Sequence, residues 1–146
     1  MLFLCTGNMV RSAFAELYAR HIGCPVEVGS AATVYRNDHL MDVTARALLE
    51  RGVSPRAVNS FRPRHLDDVL ELLCADTLVL GMAASHLAAV RRPELRRRAH
   101  LLESVLGGTG EIADPVLDGA DFTRTFERVA ACVERLVQRL SESRPR

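Results

Sequence analysis

The sequence predicts an α/β fold: one domain spanning residues 1–146, built as a three-layer sandwich in which a four-stranded parallel sheet is flanked by helices on both faces. Four short apolar runs, at residues 2–4, 26–28, 77–80 and 99–102, have strand character. Stretches with helical spacing lie between and after them, and strands alternating with helices produce parallel sheets covered on both sides. A chain of 146 residues that is 48% hydrophobic and 25% charged has room for one real core.

In chain order, Met1-Leu2-Phe3-Leu4 reads as a buried strand, since it has no polar position to place in water. A loop follows, and then a helix over residues 12–22, for which Ser12 supplies a side-chain cap. The run at 26–28 is the second strand. Helical spacing resumes at 41–51, closed by Gly52, and again at 65–74 and 84–90. The last helix, 122–140, places Phe126, Val129, Val133, Leu136, Val137 and Leu140 on one stripe. The breaks at 52–55 and 107–115 read as loops inside the domain. There is no internal repeat.

Composition narrows the function. The net charge is +1, too small for bulk binding to nucleic acid, although all 19 basic residues are arginine. Five of them, Arg91, Arg92, Arg96, Arg97 and Arg98, form a cluster that reads as a solvated helix end and loop. Cys5, Cys24, Cys74 and Cys132 lie far apart, without metal-ligand spacing, so no metal or other cofactor is expected. Cys74 and Cys132 sit in apolar helical runs and are expected in the core. No run is long enough to span a bilayer, and Met1 leads straight into the first strand, so no membrane partner and a cytoplasmic location are expected.

The chemistry is concentrated in Cys5-Thr6-Gly7-Asn8-Met9-Val10-Arg11-Ser12. A thiol at the mouth of a helix N-terminus is favoured as thiolate by free backbone N–H groups and the helix dipole, and the same amides cradle a phosphate. Arg11 adds a planar fork suited to two oxygens of a tetrahedral oxyanion. Gly7 and Asn8 suit unusual backbone angles. In open parallel sheets ligands sit beyond the carboxyl ends of the strands, where this loop lies. Displacing an aryl or alkyl oxygen from phosphorus needs a proton donor and then a base for water. Asp114, in Ile112-Ala113-Asp114-Pro115, is the candidate for both, with Pro115 biasing it toward an extended backbone that holds the carboxyl over the pocket. Asp118, before Gly119, reads as a turn residue.

Leu2-Phe3-Leu4-Cys5-Thr6-Gly7-Asn8 with Arg11-Ser12, and Asp114-Pro115 near the C-terminus, resemble the low-molecular-weight protein tyrosine phosphatases. Ser30-Ala31-Ala32-Thr33, Met41-Asp42 and the stretch from Ala75-Asp76 to Met82 extend the resemblance over nearly the whole chain. It implies a four-stranded parallel sheet and a phosphocysteine mechanism: Cys5 attacks phosphorus, Arg11 and the loop from Thr6 through Met9 and Val10 hold the oxygens, and Asp114 is acid then base. It further implies that Ser12 hydrogen-bonds the Cys5 thiolate and that Asn8 and Ser30 brace the loop. The implied partners are a phosphotyrosine-containing protein or small aryl phosphate, with inorganic phosphate as product.

Departures from the family pattern refine this. Val10 stands where many relatives have a second cysteine that traps the oxidised nucleophile, Ala13 replaces a frequent proline, and Ala83 replaces the usual aspartate after Met82. Val116 and Leu117 replace tyrosines that follow Asp-Pro and that serve in relatives as phosphorylation sites, so regulation through them is not expected. Tyr35 lies in the loop where relatives place an aromatic wall and can sandwich a phosphotyrosine ring against Met9, whose presence argues against phosphoarginine phosphatases, which tend to carry threonine there. Two competing readings remain: an arsenate reductase coupled to an external small thiol, told apart by turnover with glutathione or mycothiol, and an inactive phosphoprotein-binding module.

Overall fold

In the computed structural model, which describes residues 1–108 and 110–145, Leu2–Cys5 forms β1 with all four side chains buried. Alternation along the strand sends Phe3 and Cys5 to one face of the sheet and Leu2 and Leu4 to the other, and both faces are covered. The four strands run parallel in the order β2-β1-β3-β4, with β2 at Gly29–Ala32, β3 at Val79–Gly81 and β4 at Ala99–Leu101. The expected α/β sandwich is therefore present. β1 is central, and the connections leaving it and β3 open on the same edge of the sheet.

One face carries α1 (Arg11–His21), α2 (Asp42–Glu50) and α7 (Phe122–Glu142), whose apolar residues form a single core with Phe3 and Leu80. Phe14 of α1 stacks on Phe126 of α7 at 4.8 Å between ring centroids. The α7 stripe is buried at Phe126, Val129, Val133, Leu136 and Val137, with Leu140 at its partly buried end, and Asp121 caps the helix by accepting the Arg124 N–H. On the other face Leu66 and Val69 of α4 (Leu66–Val69) and Leu95 of α6 (Pro93–Arg96) pack on Leu2, Leu4 and Val79. Two short helices complete the chain, α3 (Pro55–Ser60) and α5 (Ala84–Ala88).

Several expectations are corrected. The second strand is Gly29–Ala32, not residues 26–28: Val26 is exposed, while Ser30, Ala31 and Ala32 are fully buried. Hydrophobicity points to the wrong three residues because this strand carries small side chains under α1. The third strand ends at Gly81, one residue later than expected. The helix expected over 65–74 stops at Val69 and continues only as the 3-10 turn Leu70–Leu72. Arg92 takes the carbonyls of Leu70 and Leu73, which gives one residue of the arginine cluster a structural role. Cys74 then lies exposed, not in the core, whereas Cys132 is buried. Ser12 does not cap α1; the helix is preceded by Val10, and the Ser12 hydroxyl faces the Cys5 sulfur. α3, with Ser54 accepting the Ala57 N–H and Pro55 at its first position, had a readable start signal in Ser54-Pro55.

Candidate active site

The loop from Thr6 to Val10 is shaped from outside. The Cys5 carbonyl accepts from the Thr33 N–H, the Thr6 carbonyl from the N–H groups of Val34 and Tyr35, the Gly7 carbonyl from the Asn37 amide, and the Met9 carbonyl from Met41 N–H and the Thr44 hydroxyl. These oxygens are tied to partners outside the loop, and the intervening N–H groups are not used by them. Those of Gly7, Met9 and Val10 donate to nothing among the described residues, while Asn8 N–H donates to Cys5 Sγ at 3.3 Å. This is a concave array of donors built for a tetrahedral anion. Asn8 makes the bend with φ 54°, a left-handed conformation that asparagine tolerates. A Cβ at Gly7 would meet the Asn37 amide nitrogen at 2.9 Å and push that side chain off the Gly7 carbonyl.

Beneath the loop lies a directed chain of hydrogen bonds. Asn8 Nδ2 donates to Ser12 Oγ and to Ser30 Oγ, both at 2.8 Å, and its Oδ1 accepts the Arg64 N–H at 2.9 Å. Ser12 Oγ also lies 2.9 Å from Cys5 Sγ, and toward a Cys5 thiolate it can only donate. Ser30 passes its proton to Glu16 Oε1 at 3.0 Å. Glu16 is buried in the middle of α1, and burial raises its carboxyl above the ordinary range, opposed by Arg20, Ser30 and Arg64. Asn8, Ser12 and Ser30 are thus joined beneath the Cys5 loop. Glu16 is an addition; a carboxylate inside the apolar run Ala13-Phe14-Ala15-Glu16-Leu17 was its only signal.

Arg11 is 3% exposed and lines the same cleft as Cys5. Its Nη1 donates to the Ile112 carbonyl at 2.7 Å, and its Nη2 lies 3.1 Å from Asp114 Oδ2 and 3.4 Å from Thr6 Oγ1. Asp114 therefore comes to the loop across more than a hundred residues of sequence. Its carboxyl is divided: Oδ2 faces Arg11, while Oδ1 accepts the Val116 N–H at 2.8 Å. Asp114 lines the cleft, with one oxygen toward Arg11 and the other held by its own turn. Asp118 accepts the Asp114 N–H and so closes the turn, as read.

Cys5, Thr6, Gly7, Met9, Val10, Arg11, Tyr35, Asn37, Asp114, Val116 and Leu117 line one cleft of about 250 Å³. A larger hollow of about 560 Å³ lies behind α1, but its arginines are occupied, Arg20 and Arg64 by Glu16 and Arg62 by the carbonyls of Asn59 and Phe61. No group of three or more metal-ligating side chains is found among the described residues.

The profile of the low molecular weight phosphotyrosine protein phosphatases matches residues 1–146. The chain belongs to this family. Among solved structures, it resembles the YwlE arginine phosphatase from Geobacillus stearothermophilus with 26% identity and a TM-score of 0.81, covering 99% of this chain and 97% of the other. The tyrosine phosphatase Wzb from Escherichia coli K30, in complex with sulphate, is 26% identical with a TM-score of 0.78, covering 95% and 96% of the two chains. A low molecular weight protein tyrosine phosphatase from T. tengcongensis is 25% identical with a TM-score of 0.76, covering 94% and 97%. No match is found among curated proteins. In this phosphatase no helix among the described residues is long and apolar enough to cross a membrane.

Proposed function

We propose that Cys5, Arg11 and Asp114 carry the two chemical steps of this cysteine-dependent protein tyrosine phosphatase. The carrying observation is that Cys5, whose Sγ accepts from the Asn8 N–H, lines one cleft with the ion-paired Arg11 and Asp114. In the first step the Cys5 thiolate attacks phosphorus, the S–P bond forms, the bond from phosphorus to the phenolic oxygen breaks, and that oxygen takes a proton from Asp114. In the second, water attacks the phosphocysteine, its proton passes to Asp114, the S–P bond breaks, and inorganic phosphate leaves. The Ser12 hydroxyl and the Asn8 N–H stabilise the departing and returning thiolate.

The Arg11–Asp114 pair supports these roles. A phosphoryl dianion entering the cleft takes the Arg11 guanidinium, which puts its own negative charge beside Asp114. Asp114 Oδ2, no longer held by Arg11, is then available to the leaving oxygen.

The reading of the substrate as phosphotyrosine, on a protein or a small aryl phosphate, rests on the cleft walls. Met9, Tyr35, Val116 and Leu117 offer apolar surface to a ring. A cytoplasmic site of action is supported by four unpaired cysteines, as expected in a reducing compartment.

The test is hydrolysis of phosphotyrosine and phosphoarginine by wild type and Cys5→Ser. Phosphotyrosine turnover with the label on Cys5 is expected, with loss of many orders of magnitude in Cys5→Ser because a serine there has no base to activate it. Label on another residue, or an active Cys5→Ser enzyme, sinks the assignment. Preferential turnover of phosphoarginine moves the substrate class.

A further inference from the structure

We propose that His86 is a positioning residue that holds the Thr6 hydroxyl as a hydrogen-bond donor to the bound phosphoryl group. The proposal rests on the reading of the Cys5 loop as the phosphoryl site. His86 stands in α5, after β3, and is 2% exposed. Its Nδ1 accepts the Ala83 N–H at 3.0 Å. A backbone amide has only a proton to offer, so Nδ1 carries the lone pair and the ring proton sits on Nε2. Nε2 lies 3.0 Å from Thr6 Oγ1, so His86 donates and Thr6 accepts.

Arg11 Nη2, 3.4 Å from the same oxygen, is also only a donor. A hydroxyl has two acceptor lone pairs and one proton. With both lone pairs facing donors, the Thr6 proton is turned away from His86 and Arg11. Thr6 lines the cleft with Cys5, Arg11 and Asp114, so the space left for that proton is where a phosphoryl oxygen binds. A charged imidazole could not play this part, since its Nδ1 would present a proton to the Ala83 N–H. Burial, and then the Arg11 charge, lower His86 to about 4, which keeps the ring neutral near pH 7.

A simpler role also exists for the ring. Ala83 has no side chain to cap its helix, and Nδ1 does so from within the first turn. That contact alone would make His86 structural, and it involves neither Nε2 nor Thr6. The two roles separate in a double-mutant cycle.

The experiment measures kcat and KM on an aryl phosphate, inhibition by inorganic phosphate, and thermal stability for wild type, Thr6→Val, His86→Ala and the double variant. Thr6→Val is expected to weaken phosphate binding by about tenfold or more, the effect of losing one hydrogen bond to a charged group. His86→Ala is expected to do the same in wild type and to add less than twofold in the Thr6→Val background. An equal loss in both backgrounds, tracking thermal stability, overturns the proposal. Nitrogen NMR of the His86 ring reads the tautomer without any variant. A proton on Nε2 whose resonance moves on adding phosphate is expected, and a proton on Nδ1 overturns the assignment. If the wild type binds phosphate but hydrolyses no phosphomonoester, the functional reading fails while these binding and NMR readouts still judge His86.

Discussion

At the scale of single residues, the site works by settling which atoms can donate. Asn8 spends its two amide protons on Ser12 and Ser30, Ser12 can only donate toward a Cys5 thiolate, and the Ser30 proton goes to Glu16. Asp114, half engaged by its own turn and half by Arg11, is the one side-chain acid in the cleft. Asp114→Asn should therefore slow phosphotyrosine by two orders of magnitude or more and an activated aryl phosphate by much less, because only the poor leaving group needs the full proton. Equal losses across leaving groups would move the acid elsewhere, with Asp118 next to test. Val10 shares the cleft with Cys5 and has no thiol to offer a sulfenate. A short peroxide pulse should leave activity that thiols restore only in part, and Val10→Cys should raise the recoverable fraction. Full recovery of the unmodified enzyme, with a mapped disulfide from Cys5 to Cys24, Cys74 or Cys132, would contradict this.

At the scale of elements, α1 is the keystone: Arg11 to Ala19 are all buried, so the helix that begins at the anion site is gripped by the sheet, α2 and α7. Its contact with α7 runs through Phe14 and Phe126. Phe126→Ala should cost about 3–5 kcal/mol of stability, the usual range for truncating a buried aromatic, as read by denaturant unfolding. Because Phe126 does not line the cleft, kcat of the folded fraction should stay close to wild type. A large fall in kcat with unchanged stability would mean that α7 acts on the loop directly. β2 shows how an element is chosen by context. A Cβ at Gly29 would displace the Arg64 guanidinium, which it meets at 2.8 Å, and the Ser30 hydroxyl is needed by Asn8 and Glu16.

At the scale of the whole molecule, the parallel order β2-β1-β3-β4 puts the loops after β1 and β3 side by side, and the donors from residues 33–44 and the carboxyl from residue 114 converge on them. The buried Arg11 has Asp114 as its charged partner, beside the Ile112 carbonyl and the Thr6 hydroxyl. An oxyanion that binds only the folded state should raise the melting temperature, by an amount set by the logarithm of its concentration over Kd and worth about 2.7 kcal/mol at a hundredfold excess. Inorganic phosphate is expected to shift the wild type upward and to leave Arg11→Ala almost unmoved. A shift of equal size in both would place the stabilising anion somewhere other than this loop.

The sequence by itself determined the α/β class, the strand that carries Cys5, and the pairing of Cys5 with Arg11, because these depend on local pattern and short spacing along the chain. It also singled out Asp114, through a proline-marked loop and the chemical need for an acid. Only the tertiary structure decided which small residues form β2, why Ser12 faces the sulfur instead of capping α1, and that half of the Asp114 carboxyl is spent on its own turn. Glu16, His86, Asn37 and the Ile112 carbonyl enter the site the same way. Each joins it through a hydrogen bond across 14 to 101 positions of sequence, or through Ser30 or Thr6 as intermediary. Such partners leave no periodic or compositional trace, since a buried polar group needs only one well-placed counterpart, and the folded chain supplies it from anywhere.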